Sequence, residues 1–459
     1  MPQVYRADLI YLDGEFRPNH GLLVGDDGRI AKVLEPDEHM DHPATHFSGR
    51  AILPGFVNAH SHTFQRLIRG RTETRGMAGD DFWSWREPMY RAALGLDADD
   101  VYHVARMTFL EMVMAGTTTV GEFHYLHRAQ DGRPYDDGNL LAKRIIAAAE
   151  SVGLRIALLR VAYARAGYQL PPRDGQLRFY ESPEEYLANT AALEQELRGS
   201  KTSWLGVAPH SIRAVPLAQM EGIVAWARKL GLPVHMHAAE QRAELAACIR
   251  EYRTTPVDLL ADRGLLSPKM TLVHAIHVTN AEIDALAEAN TVICSCPTTE
   301  RNLGDGIIDA AKVARRGIRF AFGSDSQAQI DPLEDARELE YHLRLQIEKR
   351  AMLDGISGMN LSQRLLHYAT IGGAESLGFD SGVLRAGRPA DFFAIDLADL
   401  SIAGNTSEDL LAVVIFGMNR RAITDVVVGG NHICSNRSHP LTDEIVAQYK
   451  QVHRKVWGV

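Results

Sequence analysis

The sequence contains little cysteine and no long hydrophobic run, and these shortages exclude several classes of protein. Only four of its 459 residues are cysteine, too few for a fold held together by disulfides. Cys294 and Cys296 share one face of an apolar run, which indicates packing. No window approaches the roughly 20 apolar residues of a membrane-spanning helix. The N-terminus carries Arg6, Asp8 and Asp13 and lacks the apolar core of a signal peptide. We therefore expect a cytoplasmic protein without a membrane partner.

Positive charge is also in short supply. The chain has 49 lysines and arginines against 58 aspartates and glutamates, which gives a net charge of -9. A dedicated nucleic-acid binder carries a basic surface, so we expect no nucleic-acid partner. An anionic small substrate is still allowed, because one pocket can be locally basic on an acidic protein.

Strand-like runs at both ends of the chain predict a small β domain. Turn residues separate these runs, and the larger part of the chain would be inserted between the two sets. The runs cover residues 8–12, 22–24, 30–34, 392–395, 413–416 and 426–428. We predict a β-sandwich built from residues 1–52 and 381–459, around a catalytic domain of residues 53–380.

In the predicted catalytic domain, eight strand-like runs alternate with helix-like stretches. This alternation favours an α/β fold of the (β/α)8 TIM-barrel type, with its site at the C-terminal ends of the strands. Short apolar runs also suit buried helical segments, so periodicity alone does not decide each run. The runs cover residues 52–59, 117–122, 155–162, 205–208, 233–237, 271–274, 291–296 and 320–323.

Histidine and carboxylate residues collect where these runs end. His60 and His62 lie at i and i+2, so on a strand they would share a face. Taken alone, the pair also suits a polar turn. Together with His237 and Asp325, it could hold one zinc ion and leave a position for water.

Two further polar residues at strand ends suit proton transfer beside such a metal. Glu240 could shuttle protons, and His274 could orient or deprotonate the water. We predict Glu240, His274 and Asp325 as the catalytic residues. Taken singly, His237 or His274 also fits a hydrogen-bonded histidine of the core.

These pieces resemble the amidohydrolase superfamily over nearly the whole chain. The resemblance rests on residues 54–62, 237–240 and 323–325 and on His274. Binuclear members carry a carboxylated lysine at the end of the fourth strand, where this chain has Ala-Pro-His at 208–210. The resemblance therefore implies the mononuclear deaminase branch, with one zinc ion per subunit, attack of water on a C=N carbon, loss of ammonia, and a homodimer.

Further stretches are similar to the formimidoylglutamate deiminases of histidine degradation. They cover residues 62–66, 82–90, 122–125 and 296–300. That family hydrolyses N-formimino-L-glutamate to N-formyl-L-glutamate and ammonia. By position, the resemblance implies substrate-binding roles for Gln65, Arg86, Tyr125, His210 and Arg213.

The chemistry of this small dianionic substrate agrees with the implied residues. Arg86 and Arg213 each offer a planar guanidinium suited to one carboxylate, although either alone would also suit a solvated surface. Two alternatives stay open. One is a zinc deaminase for a neutral purine or pyrimidine, and the other is a catalytically silent metal-binding protein.

Overall fold

The computed structural model describes residues 2–73 and 82–458, apart from the side chains of residues 82–84 and 86. The strands in these ranges are β1 (Gln3–Leu12), β2 (Glu15–Pro18), β3 (Gly21–Val24), β4 (Ile30–Leu34), β5 (Ala44–Pro54), β6 (Phe56–Ser61), β7 (Thr117–His124), β8 (Arg155–Ala162), β9 (Ser203–Pro209), β10 (Val234–Ala238), β11 (Met270–His274), β12 (Val292–Ser295), β13 (Arg319–Phe322), β14 (Phe392–Asp396), β15 (Ile423–Val428) and β16 (Asn431–Cys434).

The α-helices in the same ranges are α1 (Phe82–Gly95), α2 (Ala98–Met114), α3 (Leu140–Ser151), α4 (Pro183–Leu197), α5 (Leu217–Leu230), α6 (Arg242–Tyr252), α7 (Pro256–Asp262), α8 (Asn280–Glu288), α9 (Pro297–Leu303), α10 (Ala310–Arg315), α11 (Pro332–Ile347), α12 (Leu361–His367), α13 (Gly373–Ser376), α14 (Leu410–Phe416) and α15 (Thr442–Trp457). Within the described ranges, no helix combines the length and the apolar composition needed to cross a membrane.

Strands β6 to β13 form the predicted barrel. They make one eight-stranded sheet within the described residues, with the strands in sequence order and every pair parallel. Two backbone hydrogen bonds of 3.0 Å join the ends of the sheet, from His62 N to Asp325 O and from Asp325 N to His60 O. The predicted (β/α)8 architecture is confirmed, and its closure brings the first and last strands together.

The barrel strands read as continuous apolar runs because helices and the barrel interior cover both of their faces. Every residue of β7 and β8 is buried. Helices α2 and α5 occupy two of the predicted helix-like stretches between the strand-like runs. Asp97 caps α2 by accepting hydrogen bonds from the amides of Asp99 and Asp100. Gly231, at φ 67°, ends α5.

The two ends of the chain build one separate mixed sheet, which confirms the predicted small β domain as a composite of both ends. Its strand order is β16-β15-β14-β5-β1-β3-β4, with β2 paired to β1. The ring of Tyr5 packs 5.2 Å from that of Phe392, so residues from opposite ends share one core. The bounds of 1–52, 53–380 and 381–459 stay a prediction.

The structure corrects two strand predictions. Residues 413–416 lie in helix α14, where Leu410, Leu411, Val414 and Ile415 are buried at helical spacing, so tertiary packing overrides the strand preference of β-branched residues. The run predicted at 52–59 is divided at Gly55. A side chain there would meet Thr118 at 2.3 Å, and β5 ends in the small sheet before β6 enters the barrel.

Candidate active site

Three histidines and one aspartate converge at the C-terminal ends of the barrel strands. His60 lies in β6, His62 directly follows it, His237 lies in β10, and Asp325 follows β13. The Nε2 atom of His60 is 3.2 Å from the Nε2 atoms of both His62 and His237. Asp325 Oδ1 is 3.4 Å from His60 Nε2 and 3.1 Å from His62 Nε2. All four side chains are buried.

These spacings fit a single tetrahedral ion. Zinc binds imidazole nitrogen at about 2.0 Å, so neighbouring donors of a tetrahedral site lie about 3.3 Å apart. The outer nitrogens of two rings are already engaged, since His62 Nδ1 donates to Phe123 O at 3.0 Å and His237 Nδ1 donates to His210 O at 3.1 Å. These bonds leave both Nε2 lone pairs for a metal, as in known metal sites.

The pKa values of the donor residues also suit metal binding. Burial lowers the pKa of His60 to about 3 and the pKa of His237 well below its ordinary value. Burial alone would raise the pKa of Asp325, but its hydrogen bonds with His60 and His62 outweigh burial and hold that pKa well below the usual range. At neutral pH His60 and His237 are therefore neutral imidazoles and Asp325 is a carboxylate, the forms that bind metals.

The predicted catalytic residues lie beside these donors. His274 ends β11, and its Nε2 is 3.7 Å from Glu240 Oε1 and 3.7 Å from Asp325 Oδ2. Burial raises the pKa of Glu240 to about 8. His274 and Asp325 have φ of 73° and 45°, a left-handed backbone that is uncommon outside glycine. Such strain persists where the surrounding structure fixes it, and it clusters at functional sites.

Four of the five predicted substrate-binding residues line the cavity that these groups face, namely Gln65, Tyr125, His210 and Arg213. Gln65 Nε2 donates to Tyr125 Oη at 2.7 Å. The Nη1 atom of Arg213 is buried and has no hydrogen-bond partner among the described residues. The fifth, Arg86, belongs to α1, and its side chain lies outside the described residues.

An aromatic wall that sequence reasoning missed completes the cavity. Tyr90, Tyr163 and Phe179 all line it. Gln176 Nε2 donates to Tyr163 Oη at 2.8 Å and to Tyr90 Oη at 3.1 Å, and the Tyr163 ring lies 5.0 Å from that of His210. Gln176 and Phe179 belong to the connection between β8 and α4, where no motif or periodicity marks them.

A buried polar network, also missed, holds the loops that carry the donors. Glu122 Oε2 accepts from Ser61 Oγ at 2.6 Å, and its Oε1 accepts from the amide of Thr63 at 2.8 Å. Gln327 Nε2 donates to Ser61 Oγ at 2.9 Å, while its Oε1 accepts from Ser324 Oγ at 2.9 Å. The only sequence signal was that polar residues stood at buried strand ends.

Comparisons with known proteins agree on one kind of enzyme. The model of the amidohydrolase family matches residues 51–433. A formimidoylglutamate deiminase of Pseudomonas aeruginosa is 36% identical over 427 residues, covering 93% of each chain. A 5-methylthioadenosine/S-adenosylhomocysteine deaminase of Halobacterium salinarum is 28% identical over 398 residues, covering 86% of this chain and 82% of that one.

Solved structures agree as well. An amidohydrolase from Brucella melitensis superposes with a TM-score of 0.91 at 33% identity, covering 99% of this chain and 100% of that one. An adenosine deaminase from Xanthomonas campestris with bound zinc has a TM-score of 0.84 at 24% identity, covering 100% of this chain and 99% of that one. At 24% identity, the similarity to the Xanthomonas structure shows a shared fold and nothing more.

Proposed function

Since the chain belongs to the amidohydrolase family, we propose that it hydrolyses N-formimino-L-glutamate to N-formyl-L-glutamate and ammonia in histidine degradation. The family and the deaminase relatives make the chain a metal-dependent hydrolase of carbon–nitrogen bonds. One observation carries the choice of substrate. The cavity lined by His62, His237 and Asp325 is also lined by Arg213, whose buried Nη1 has no hydrogen-bond partner among the described residues.

The metal in this proposal is one zinc ion per chain, held by His60, His62, His237 and Asp325. Three imidazoles and one carboxylate suit zinc in a site of catalytic type. When bound, the ion supplies Lewis-acid activation of water at neutral pH.

Glu240 is the proposed proton carrier. It takes the proton that water loses on attacking the formimino carbon, and it delivers that proton to the nitrogen that leaves as ammonia. A partly buried carboxyl with a pKa of about 8 exchanges protons near neutral pH. His274 orients the attacking water through Nε2, which lies on the same side as Glu240 and Asp325.

The Glu240→Gln variant tests this role. Because general acid–base catalysis contributes about 10²- to 10⁴-fold, we expect kcat to fall by that range, with KM and the metal content unchanged. A variant with full turnover would exclude Glu240 as the proton carrier.

The remaining groups of the cavity suit the two carboxylates of the substrate. Arg213 and Arg86 are the proposed carboxylate partners, each through a planar fork of N–H donors. Burial raises the pKa of Tyr125 well above its ordinary value, so its phenol stays protonated. Gln65 holds that phenol by its hydrogen bond of 2.7 Å.

A deaminase for a neutral aminated heterocycle is the second candidate. The aromatic wall of Tyr90, Tyr163 and Phe179 favours it, as does the similarity to 5-methylthioadenosine/S-adenosylhomocysteine deaminases at 28% identity. We favour the amino-acid derivative because a neutral heterocycle brings no carboxylate to pair with the buried Nη1 of Arg213. No observation favours a silent metal-binding protein.

An ammonia-release assay on the zinc-loaded protein separates the two candidates. The panel contains N-formimino-L-glutamate, adenosine, 5-methylthioadenosine, S-adenosylhomocysteine and cytosine. We expect kcat/KM for N-formimino-L-glutamate to exceed every other value by at least about 10³-fold, since a site built for charged groups rejects a ligand that leaves them unpaired. Preferred turnover of a nucleoside would overturn the proposal.

A further inference from the structure

Behind His274 lies a carboxylate that the proposed chemistry does not yet use. Glu300 Oε1 is 3.2 Å from His274 Nδ1, on the side of the ring opposite to Glu240 and Asp325. Both side chains are buried. We propose that Glu300 is a positioning residue. It accepts a hydrogen bond from the Nδ1–H group of His274 and so fixes the ring with Nε2 pointing at the reacting centre.

The surroundings of Glu300 hold its carboxylate in one orientation. It lies in the first turn of α9, directly after β12. Its Oε1 also accepts from the amide of Cys296 at 2.7 Å, and its Oε2 accepts from Ser295 Oγ at 3.1 Å. Because these donors leave the carboxylate little freedom to rotate, the acceptor that faces His274 is fixed by the end of the strand.

This arrangement matters because a histidine ring can present either nitrogen, and the hydrogen bond made by one nitrogen decides the role of the other. Without an acceptor behind Nδ1, the Nδ1 proton of His274 can move to Nε2 and the ring can turn. The hydrogen bond to Glu300 would prevent both the proton shift and the ring rotation, as carboxylates behind catalytic histidines do in other enzymes.

A second metal site is the rival explanation of the same cluster. Donor atoms of His274, Cys296 and Glu300 lie within 4.8 Å of one another. However, both oxygens of Glu300 already accept hydrogen bonds from Cys296 N and Ser295 Oγ. Cys296 also packs in an apolar cluster with Ala59 and Val273, which suits a neutral thiol. The geometry therefore favours positioning, and metal analysis decides between the two.

Three variants separate orientation from general structural support. Glu300→Leu removes the acceptor. Glu300→Gln keeps an acceptor. The Cys296 amide can donate only to the side-chain carbonyl oxygen of the glutamine, and that oxygen then also faces His274. Asp335→Asn is the matched control, since Asp335 is another buried carboxylate that accepts hydrogen bonds from the same helix, at Thr298 N and Oγ1, without contacting His274.

The kinetic expectation is a loss in kcat rather than in binding. Partners that orient active groups typically contribute about 10- to 100-fold, so Glu300→Leu should lower kcat by that range with KM within about threefold. We expect Glu300→Gln to restore kcat to within about tenfold of the parent and Asp335→Asn to keep it. Equal losses in Glu300→Leu and Asp335→Asn would reduce Glu300 to a structural role and overturn the proposal.

A spectroscopic readout covers the case in which Glu300→Leu does not fold. ¹⁵N-histidine NMR of the zinc-loaded parent without substrate, assigned by the signal lost in His274→Gln, reports which nitrogen of His274 holds the proton. We expect a proton on Nδ1 in the parent and in Glu300→Gln. A proton on Nε2 alone in the parent overturns the proposal, as does a second metal equivalent that disappears in Glu300→Leu.

This inference rests on the proposed function for its kinetic arm only. If the parent protein releases no ammonia from N-formimino-L-glutamate, the proposed function fails. The NMR measurement then still decides whether Glu300 sets the protonation of His274.

Discussion

The side-chain amide of Gln327 donates a hydrogen bond of 2.9 Å to the hydroxyl of Ser61, the residue between the two histidines of the first barrel strand. Ser61 in turn donates to Glu122 at 2.6 Å. The loop that carries Asp325 is thus tied, through buried polar groups, to the strand that carries His60. Contacts of this kind set the affinity of a metal site by fixing where its ligands stand.

Replacement of Gln327 by methionine should therefore weaken zinc binding. The variant keeps the approximate volume and loses the hydrogen bonds to Ser61 and Ser324, so we expect the zinc Kd to rise by about 10-fold or more. Competition with a chromophoric chelator measures it. Gln329→Met is the matched control, since Gln329 contacts Arg301 instead. Equal affinities in the parent and in Gln327→Met would contradict the role of this network.

His235 and His237 offer a sharper comparison within one strand. Both are buried and lie two residues apart, but His235 Nε2 donates to Ser376 O at 2.9 Å whereas His237 Nε2 faces His60. We expect His237→Gln to abolish ammonia release and zinc-dependent stabilisation, and His235→Gln to keep one zinc per chain. In the parent, zinc at 100 times its Kd should stabilise the fold by about 2.7 kcal/mol.

Chelation should reproduce the His237→Gln phenotype in the parent protein, and added zinc should reverse it. Elemental analysis gives the stoichiometry, and thermal unfolding gives the stabilisation. A His237→Gln protein that retained one tightly bound zinc would remove this histidine from the proposed ligand set.

Arg213→Met should raise KM for N-formimino-L-glutamate more than it lowers kcat. A hydrogen bond to a charged group contributes about 1.5–3 kcal/mol, which corresponds to a factor of about 10 to 150 in binding. Steady-state kinetics with two analogues, each lacking one carboxylate, supplies the control. If Arg213 binds one of the two carboxylates, the analogue that lacks this carboxylate should have the same KM with the parent and with Arg213→Met. If KM differs between the two proteins for both analogues, Arg213 is not a carboxylate partner.

The stability of the protein should fall in mild acid, in part through His127. Its Nε2 donates to Val161 O at 2.7 Å, and burial lowers its pKa to about 4. The ordinary value is about 6.5, so the unfolded chain binds the proton first and stability rises with pH between these values. The contribution of His127 to the free energy of unfolding is fully present above pH 6.5. About 3 kcal/mol of it is lost as the pH falls towards 4.

His127→Gln, which keeps a donor for Val161, should flatten the pH dependence of urea unfolding between pH 6.5 and 4. The measurement uses metal-free protein, so that the release of zinc does not contribute. His46, which is exposed, provides the control variant His46→Gln, for which we expect the parental slope. An unchanged slope in His127→Gln would show that His127 does not charge on unfolding in this range.

The sequence predicts those parts of the molecule that local patterns specify. Eight apolar runs with polar residues at their ends were enough for the barrel, and the family resemblance drawn from the motif around His60 is confirmed by the match over residues 51–433. A strand places i and i+2 on one face, so the His60 and His62 pair could be read directly. His237 and Asp325 followed because parallel barrel strands end at one rim.

Features that depend on contacts between distant segments were not predictable. Ser61 and Gln327 meet only after the barrel closes, and nothing near either residue in the sequence indicates the other. Gln176 and Phe179 reach the cavity from a connection without periodicity. The run at 413–416 is rich in β-branched residues, but its burial pattern in the fold is that of a helix.

The shared sheet has a consequence for how the protein is made. β5 pairs on one side with β1 and on the other with β14. On the ribosome, β5 emerges long before β14, so the nascent chain carries an open strand edge throughout synthesis of the barrel. Such edges recruit other chains. A product that stops before Phe392 keeps that edge for good, and we expect truncated chains to aggregate even when they contain every residue of the metal centre.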